Sequence, residues 1–193
     1  MVKGNGGKVK KIRLESGIQT MFQINAANHQ PLSAMADQKA HIMITANSII
    51  LTAIISLLLR RIQQEPYLTI PIFILILISL AAMVFAILAT RPTVARRMFS
   101  LSEVKDKKVN LLFFGNFYKM SFEDYREAMK EMVDDDDWLY NSLIVDGYIQ
   151  GVVLGRKYQW LRLSYNTFMF GLIASVIAFM MVAVFTSRGL KFL

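Results

Sequence analysis

Residues 138–185 read WLYNSLIVDGYIQGVVLGRKYQWLRLSYNTFMFGLIASVIAFMMVAVF, without a proline anywhere among them. With nothing to interrupt the backbone hydrogen bonds, the stretch predicts one uninterrupted helix. Its second half, 166–185, supplies the roughly 20 apolar residues that cross a hydrocarbon core of about 30 Å. Its first half carries Arg156, Lys157 and Arg162 and belongs at or outside the membrane surface. One helix then serves as both a water-exposed stalk and a membrane span. This predicts an all-α membrane protein whose cytoplasmic part is coupled directly to the bilayer.

Composition agrees with a membrane class. Of 193 residues 54% are hydrophobic, and the mean hydropathy is +0.40, against about 45–50% apolar residues in a typical soluble domain. The net charge of +8 and the pI near 9.8 fit cationic anchors beside apolar spans better than nucleic-acid binding, so no DNA or RNA partner is expected. There are no cysteines, which excludes disulfides, thiolate metal sites and cysteine nucleophiles. The basic start has no apolar run behind it and so is not a secretory signal.

Moving outward, residues 1–13 are rich in Gly and Lys and read as a flexible basic arm. Leu14, Ile18, Met21 and Phe22 then place one apolar face on an amphipathic helix over 14–30. Asn28-His29-Gln30-Pro31 predicts a break, because proline is tolerated in the first turn of a helix and not in its interior. A second helix over 32–61 contains span one, 40–59. His41, Thr45, Ser48, Thr52 and Ser56 form a polar stripe along it, with Asn47 off the stripe. Such stripes serve close helix packing or, alternatively, a water-accessible path. A polar turn leads to span two, 67–90, in which Pro71 lies near the start and Ser79, Ala82 and Ala86 make a small-residue stripe. Thr167, Gly171, Ser175 and Ala178 do the same on span three.

Six lysines and arginines precede span one and twelve lie between spans two and three, whereas only Arg60, Arg61, Arg188 and Lys191 fall elsewhere. The positive-inside rule puts the N-terminus and the segment 91–164 in the cytoplasm, and the tail 186–193 outside.

The cytoplasmic segment 91–137 should be compact and helical. Ser100 and Glu103 have capping-box spacing, and Ser121 with Asp124 repeats the signal before a helix from Phe122 to about Val133. Phe122, Tyr125, Met129 and Met132 would form its apolar face, packed under the aromatic stretch NLLFFGNFYKM at 110–120. Leu111, Leu112, Phe113 and Phe114 would fill the core, leaving 116–119 available to a ligand or a neighbouring subunit. The run Asp134–Asp137 could attract a hard cation, but the plainer reading is a turn that caps the next helix. Gly147, Gly151 and Gly155 line one face of the stalk, for close packing or for a ligand groove. Two histidines, no GxSxG elbow and no Walker A loop leave hydrolysis or phosphoryl transfer without a handle. No enzyme activity, cofactor or metal is expected.

Taken together, MFQINAANHQPLSAMADQKAHIMITANSII, ILATRPTVARRMF, NLLFFGNFYKMSFEDY and GVVLGRKYQWLRLSYNTFMFGLIAS closely resemble the transmembrane effector family of bacterial pyrimidine cyclase anti-phage (Pycsar) systems. The resemblance covers roughly 17–185. It implies a bacterial inner-membrane effector activated by a cyclic pyrimidine nucleotide, cCMP or cUMP, made by a partner cyclase. The response would be loss of membrane integrity. Candidate ligand contacts are Arg91, Asn116, Tyr118, Lys119, Arg156, Lys157 and Tyr158. Three spans with small-residue faces make a poor pore alone, so a homo-oligomer is expected. The alternatives are a membrane scaffold or a small ion channel gated by something else.

Overall fold

The structure is a computed structural model that describes residues 5–61, 66–92 and 110–187; every regular element among them is helical. Helix α1 runs Asn5–Arg61 and α2 runs Thr69–Thr90, entered through a 3-10 turn at Pro66–Leu68. A single turn, α3, covers Phe114–Phe117, α4 runs Phe122–Val133 and α5 runs Asp136–Ser187. Three of these, α2 and most of α1 and α5, are long and apolar enough to cross a membrane. The expected turn at Ser100–Glu103 lies outside the described residues.

The start of α5 is secured by the aspartate run. Asp135 Oδ1 accepts the Trp138 N–H at 3.0 Å, and Asp136 and Asp137 occupy the first turn, where negative charge is favourable against the helix dipole. From there the proline-free sequence continues as one helix of 52 residues.

Helix α1 departs from expectation at both ends of its first half. The predicted break at 28–31 is absent, and Pro31 lies inside a helix of 57 residues. An interior proline costs about 3 kcal/mol, but the turns on either side are held by packing. Asn25 and His29 lie against Gly147 and Gly151, and Ala36 and Ala40 are fully buried a turn or two later. The expected flexible arm over 1–13 is likewise helical from Asn5 onward. Extending an existing helix adds one hydrogen bond per residue fixed, and Lys8, Lys10, Lys11 and Arg13 are good helix formers.

Pro31 marks a different boundary. The chain divides into two compact units, Met1–Leu32 with Pro92–Leu154 and Ser33–Arg91 with Gly155–Leu193. The division falls one residue after Pro31 on α1 and at Gly155 on α5.

In the first unit, Ser121 caps α4 reciprocally: its Oγ accepts the Asp124 N–H at 3.1 Å and donates to Asp124 Oδ2 at 2.8 Å. Ala128 and Met132 of α4 are buried with Leu111 and Trp138, and Leu112, Tyr125 and Met129 pack against that cluster. Phe122 was expected on this face and stands 67% exposed. At about 100° per residue it lies at the edge of a stripe centred on Tyr125 and Met132. Phe114, expected in the core, is also mostly exposed.

In the second unit, the core combines Ala36, Ala40 and Met43 of α1, Ala86 and Ala89 of α2, and Leu161 of α5. Small side chains let the backbones approach closely, which is what packs helices where water provides no hydrophobic drive. Ser164 Oγ donates to the Ala82 carbonyl at 2.7 Å, and the rings of Phe85 and Trp160 stack at 6.0 Å. A side chain at Gly171 would overlap Ile78, so only glycine suits that crossing.

The polar stripe of α1 takes no part in this core. His41, Thr45, Ser48, Thr52 and Ser56 are all exposed, whereas the buried positions are Ala36, Ala40, Met43, Asn47 and Ile54. The two sets occupy opposite faces of one helix. Alanines allow a closer approach than hydroxyl-bearing side chains, so the alanine face takes the contact.

Candidate functional site

The segment 110–120 is built around two asparagines. Asn110, 6% exposed, accepts the Leu112 N–H on Oδ1 at 2.9 Å, and its main-chain carbonyl accepts Asn116 Nδ2 at 2.7 Å. Its Nδ2 reaches Asp146 Oδ1 on α5 at 3.4 Å, and Gln150 Nε2 donates to the other oxygen of Asp146 at 2.6 Å. This polar chain fixes the turn so that Leu111 points inward, fully buried. Phe117 packs on Tyr125 with ring centres 4.7 Å apart. Asn116, a candidate ligand contact, therefore has one of its two amide hydrogens committed to the fold.

Outside this support stand two aromatic rings, each with a cation beside it. Lys119 Nζ is 5.3 Å from the centre of the exposed Tyr118 ring, and the Arg126 guanidinium carbon is 5.9 Å from that of Phe122. Phe122, Tyr125, Arg126, Met129 and Val133 also line an open groove of about 460 Å³ along α4. Cations and aromatic faces in this arrangement can receive an anionic planar molecule, the phosphate by charge-assisted hydrogen bonds and the ring by stacking.

Gly147, Gly151 and Gly155 of α5 do not form a groove together. A Cβ on Gly147 would come within 2.8 Å of Asn25 Nδ2 and one on Gly151 within 3.7 Å of His29, whereas Gly155 faces open space. The first two serve close packing.

The remaining candidates belong to the second unit. Arg91 and Arg156 are exposed. Tyr158 packs against the alanine core. Lys157 is already engaged: its ammonium donates to both Asp37 oxygens at 2.8 Å and to Ser33 Oγ at 2.9 Å. The seven candidates thus divide between the units, three in the first and four in the second. Neither Asp37 nor Ser33 stands out in the sequence, since Lys157 is 120 positions from Asp37. A usable signal exists all the same: Asp37 and Lys157 are opposite charges, each shortly ahead of an apolar span.

A family described as the Pycsar effector protein domain matches residues 20–184. The chain belongs to that family. As a Pycsar effector it is an anti-phage membrane effector, the responding partner of a cyclase rather than the cyclase itself. Its three apolar helices agree with membrane association. No curated protein and no solved structure matches this Pycsar effector. The matched span contains every candidate contact and the whole polar stripe.

Proposed function

We propose that this Pycsar effector responds to a cyclic pyrimidine nucleotide, cCMP or cUMP, and then impairs the integrity of the bacterial inner membrane as a homo-oligomer. The observation that carries the lesion is the polar stripe on α1, which lies on the face turned away from the chain's own core while sharing a helix with a membrane span. A face of hydroxyls and one imidazole can meet a second copy or line a wet path once copies assemble. The ligand supplies the bias by binding one arrangement more tightly than the other, because equal affinity for both would shift nothing.

Of the seven candidate contacts, Tyr118, Lys119, Arg91 and Arg156 are the exposed ones, and they are the first choice for touching the nucleotide. Asn116 spends one amide hydrogen on the Asn110 carbonyl, Lys157 has its ammonium engaged by Asp37 and Ser33, and Tyr158 is part of the packing. The charge distribution supports a cytoplasmic N-terminus and an extracytoplasmic C-terminus, which presents the exposed arginines to a cytoplasmic ligand.

Dye release from liposomes containing the purified protein tests this reading. Release with cCMP or cUMP and none with purine cyclic nucleotides is the expected result. Release that ignores nucleotide would identify a channel gated otherwise. Intact vesicles under every condition would leave a membrane scaffold.

A further inference from the structure

Two features of the second unit pull against each other. Its core is incompletely satisfied: Asn47 is fully buried and donates to the Met43 carbonyl at 2.8 Å, but its Oδ1 has no partner. Ser79, equally buried on α2, has an unpartnered Oγ. Each orphan has given up its water without a hydrogen bond in return, so any repacking that pairs them is favoured. Against this stands the Lys157–Asp37–Ser33 contact, which joins α5 to α1 at the end of the alanine core. All three ammonium hydrogens have an oxygen to meet, at 2.8, 2.8 and 2.9 Å.

We infer that this contact is a latch. It holds α1 against α5 in the resting bundle, and the lesion requires it to open. The alanine face contributes little besides close fit, and helices in lipid gain no hydrophobic attraction for one another. A charge pair with a hydroxyl is then a strong directional tie between the two helices. Lys157 is saturated by Asp37 and Ser33, so an anionic activator reaching its ammonium must displace an oxygen of one or the other, both of them on α1. This ties ligand arrival to release of α1. The inference rests on the proposed membrane lesion and adds the element that restrains it.

The latch has an unequal construction that gives it a signature. The Lys157 side chain is 17% exposed and that of Asp37 is 37% exposed. Removing Asp37 strands a shielded ammonium, whereas removing Lys157 leaves a carboxylate that water can reach. Deleting one partner of a partly shielded pair does damage through the charge left behind, and the more so the less water reaches that charge. Asp37→Asn therefore loosens the resting state more than Lys157→Met.

Dye release from liposomes decides the matter. The expected result is release by Asp37→Asn at an activator concentration at least about tenfold below wild type, or with no nucleotide at all. A smaller shift is expected for Lys157→Met, and the charge-exchanged double variant Asp37→Lys/Lys157→Asp should return toward wild type. The chain has no native cysteine, so Asp37→Cys/Lys157→Cys offers a covalent latch. Untreated, it leaks; joined by a short bis-methanethiosulfonate it falls silent, and reduction restores leakage.

Single variants that insert normally but leak no more than wild type would overturn the latch. So would a joined double-cysteine variant that leaks as before, or an exchanged pair as leaky as Asp37→Asn. If wild type answers cyclic pyrimidines while Asp37→Asn matches it, the latch fails and the nucleotide response stands. If wild type ignores every nucleotide while Asp37→Asn leaks and the joined pair is silent, the latch stands and the nucleotide response fails.

Discussion

Asn110 does more for the first unit than its single position suggests. Its Oδ1, Nδ2 and main-chain carbonyl each hold a different group, on Leu112, Asp146 and Asn116. Replacing it by alanine leaves the Leu112 N–H and an Asp146 oxygen short of a partner beside a buried leucine. We expect Asn110→Ala to destabilise the aromatic turn by about 1–3 kcal/mol. Hydrogen exchange of the amides at 111–120 would rise, while exchange in α2 stays unchanged. Uniform protection across both regions would show that the turn does not depend on this side chain. An asparagine ahead of an aromatic run reads only as a loop residue. Its role depends on Asp146, 36 positions away, and spacing of that kind leaves no local trace.

Among the elements, α2 and α5 were legible because a long apolar run and a missing proline are local properties. The same reasoning misplaced the boundary at Pro31. Whether a proline ends a helix depends on what holds the turns to either side, and here those are glycines of α5 and the alanine core. The polar stripe on α1 was legible as a stripe and not as an outward face, since the alanines opposite it could pack more closely. Gly171 was legible as one member of a small-residue series, and the structure shows which partner demands it. Gly171→Ala would drive its methyl into Ile78, an overpacking that costs about 1–3 kcal/mol. Cysteine-pair crosslinking between α2 and α5 at Phe85 and Trp160 should fall in that variant, and Ile78→Ala in the same chain should restore it. Unchanged crosslinking in Gly171→Ala would mean that α2 yields there at no cost.

For the molecule as a whole, the candidate contacts divide between two units that α1 and α5 each run through. The nucleotide reading therefore makes a paired prediction. Lys119→Ala removes an exposed cation from the first unit and Arg156→Ala removes one from the second. The variant in the unit that holds the nucleotide should weaken cCMP or cUMP binding by about tenfold, as loss of a charge-assisted hydrogen bond does, and neither should alter membrane insertion. Titration calorimetry in detergent measures both. If only one variant loses affinity, the ligand belongs to that unit alone; if neither does, both residues leave the site. Family membership was legible because motifs in order survive as linear text, whereas the Asp37–Lys157 tie leaves there only two opposite charges, each ahead of an apolar span, and nothing that pairs them across 120 positions.

The hydroxyls on the outer face of α1 carry a consequence for how the protein waits. Ser48 Oγ donates to the Ile44 carbonyl at 2.8 Å, and Thr52 Oγ1 donates to the Ser48 carbonyl at 2.9 Å. With their hydrogens turned back onto their own helix, these groups ask nothing of the surrounding lipid and do not compel copies to associate. Their lone pairs still point outward and accept readily from water. On the proposed reading, a surface that is tolerable dry and welcoming when wet would let a cell keep a stock of the dormant protein in its membrane without harm.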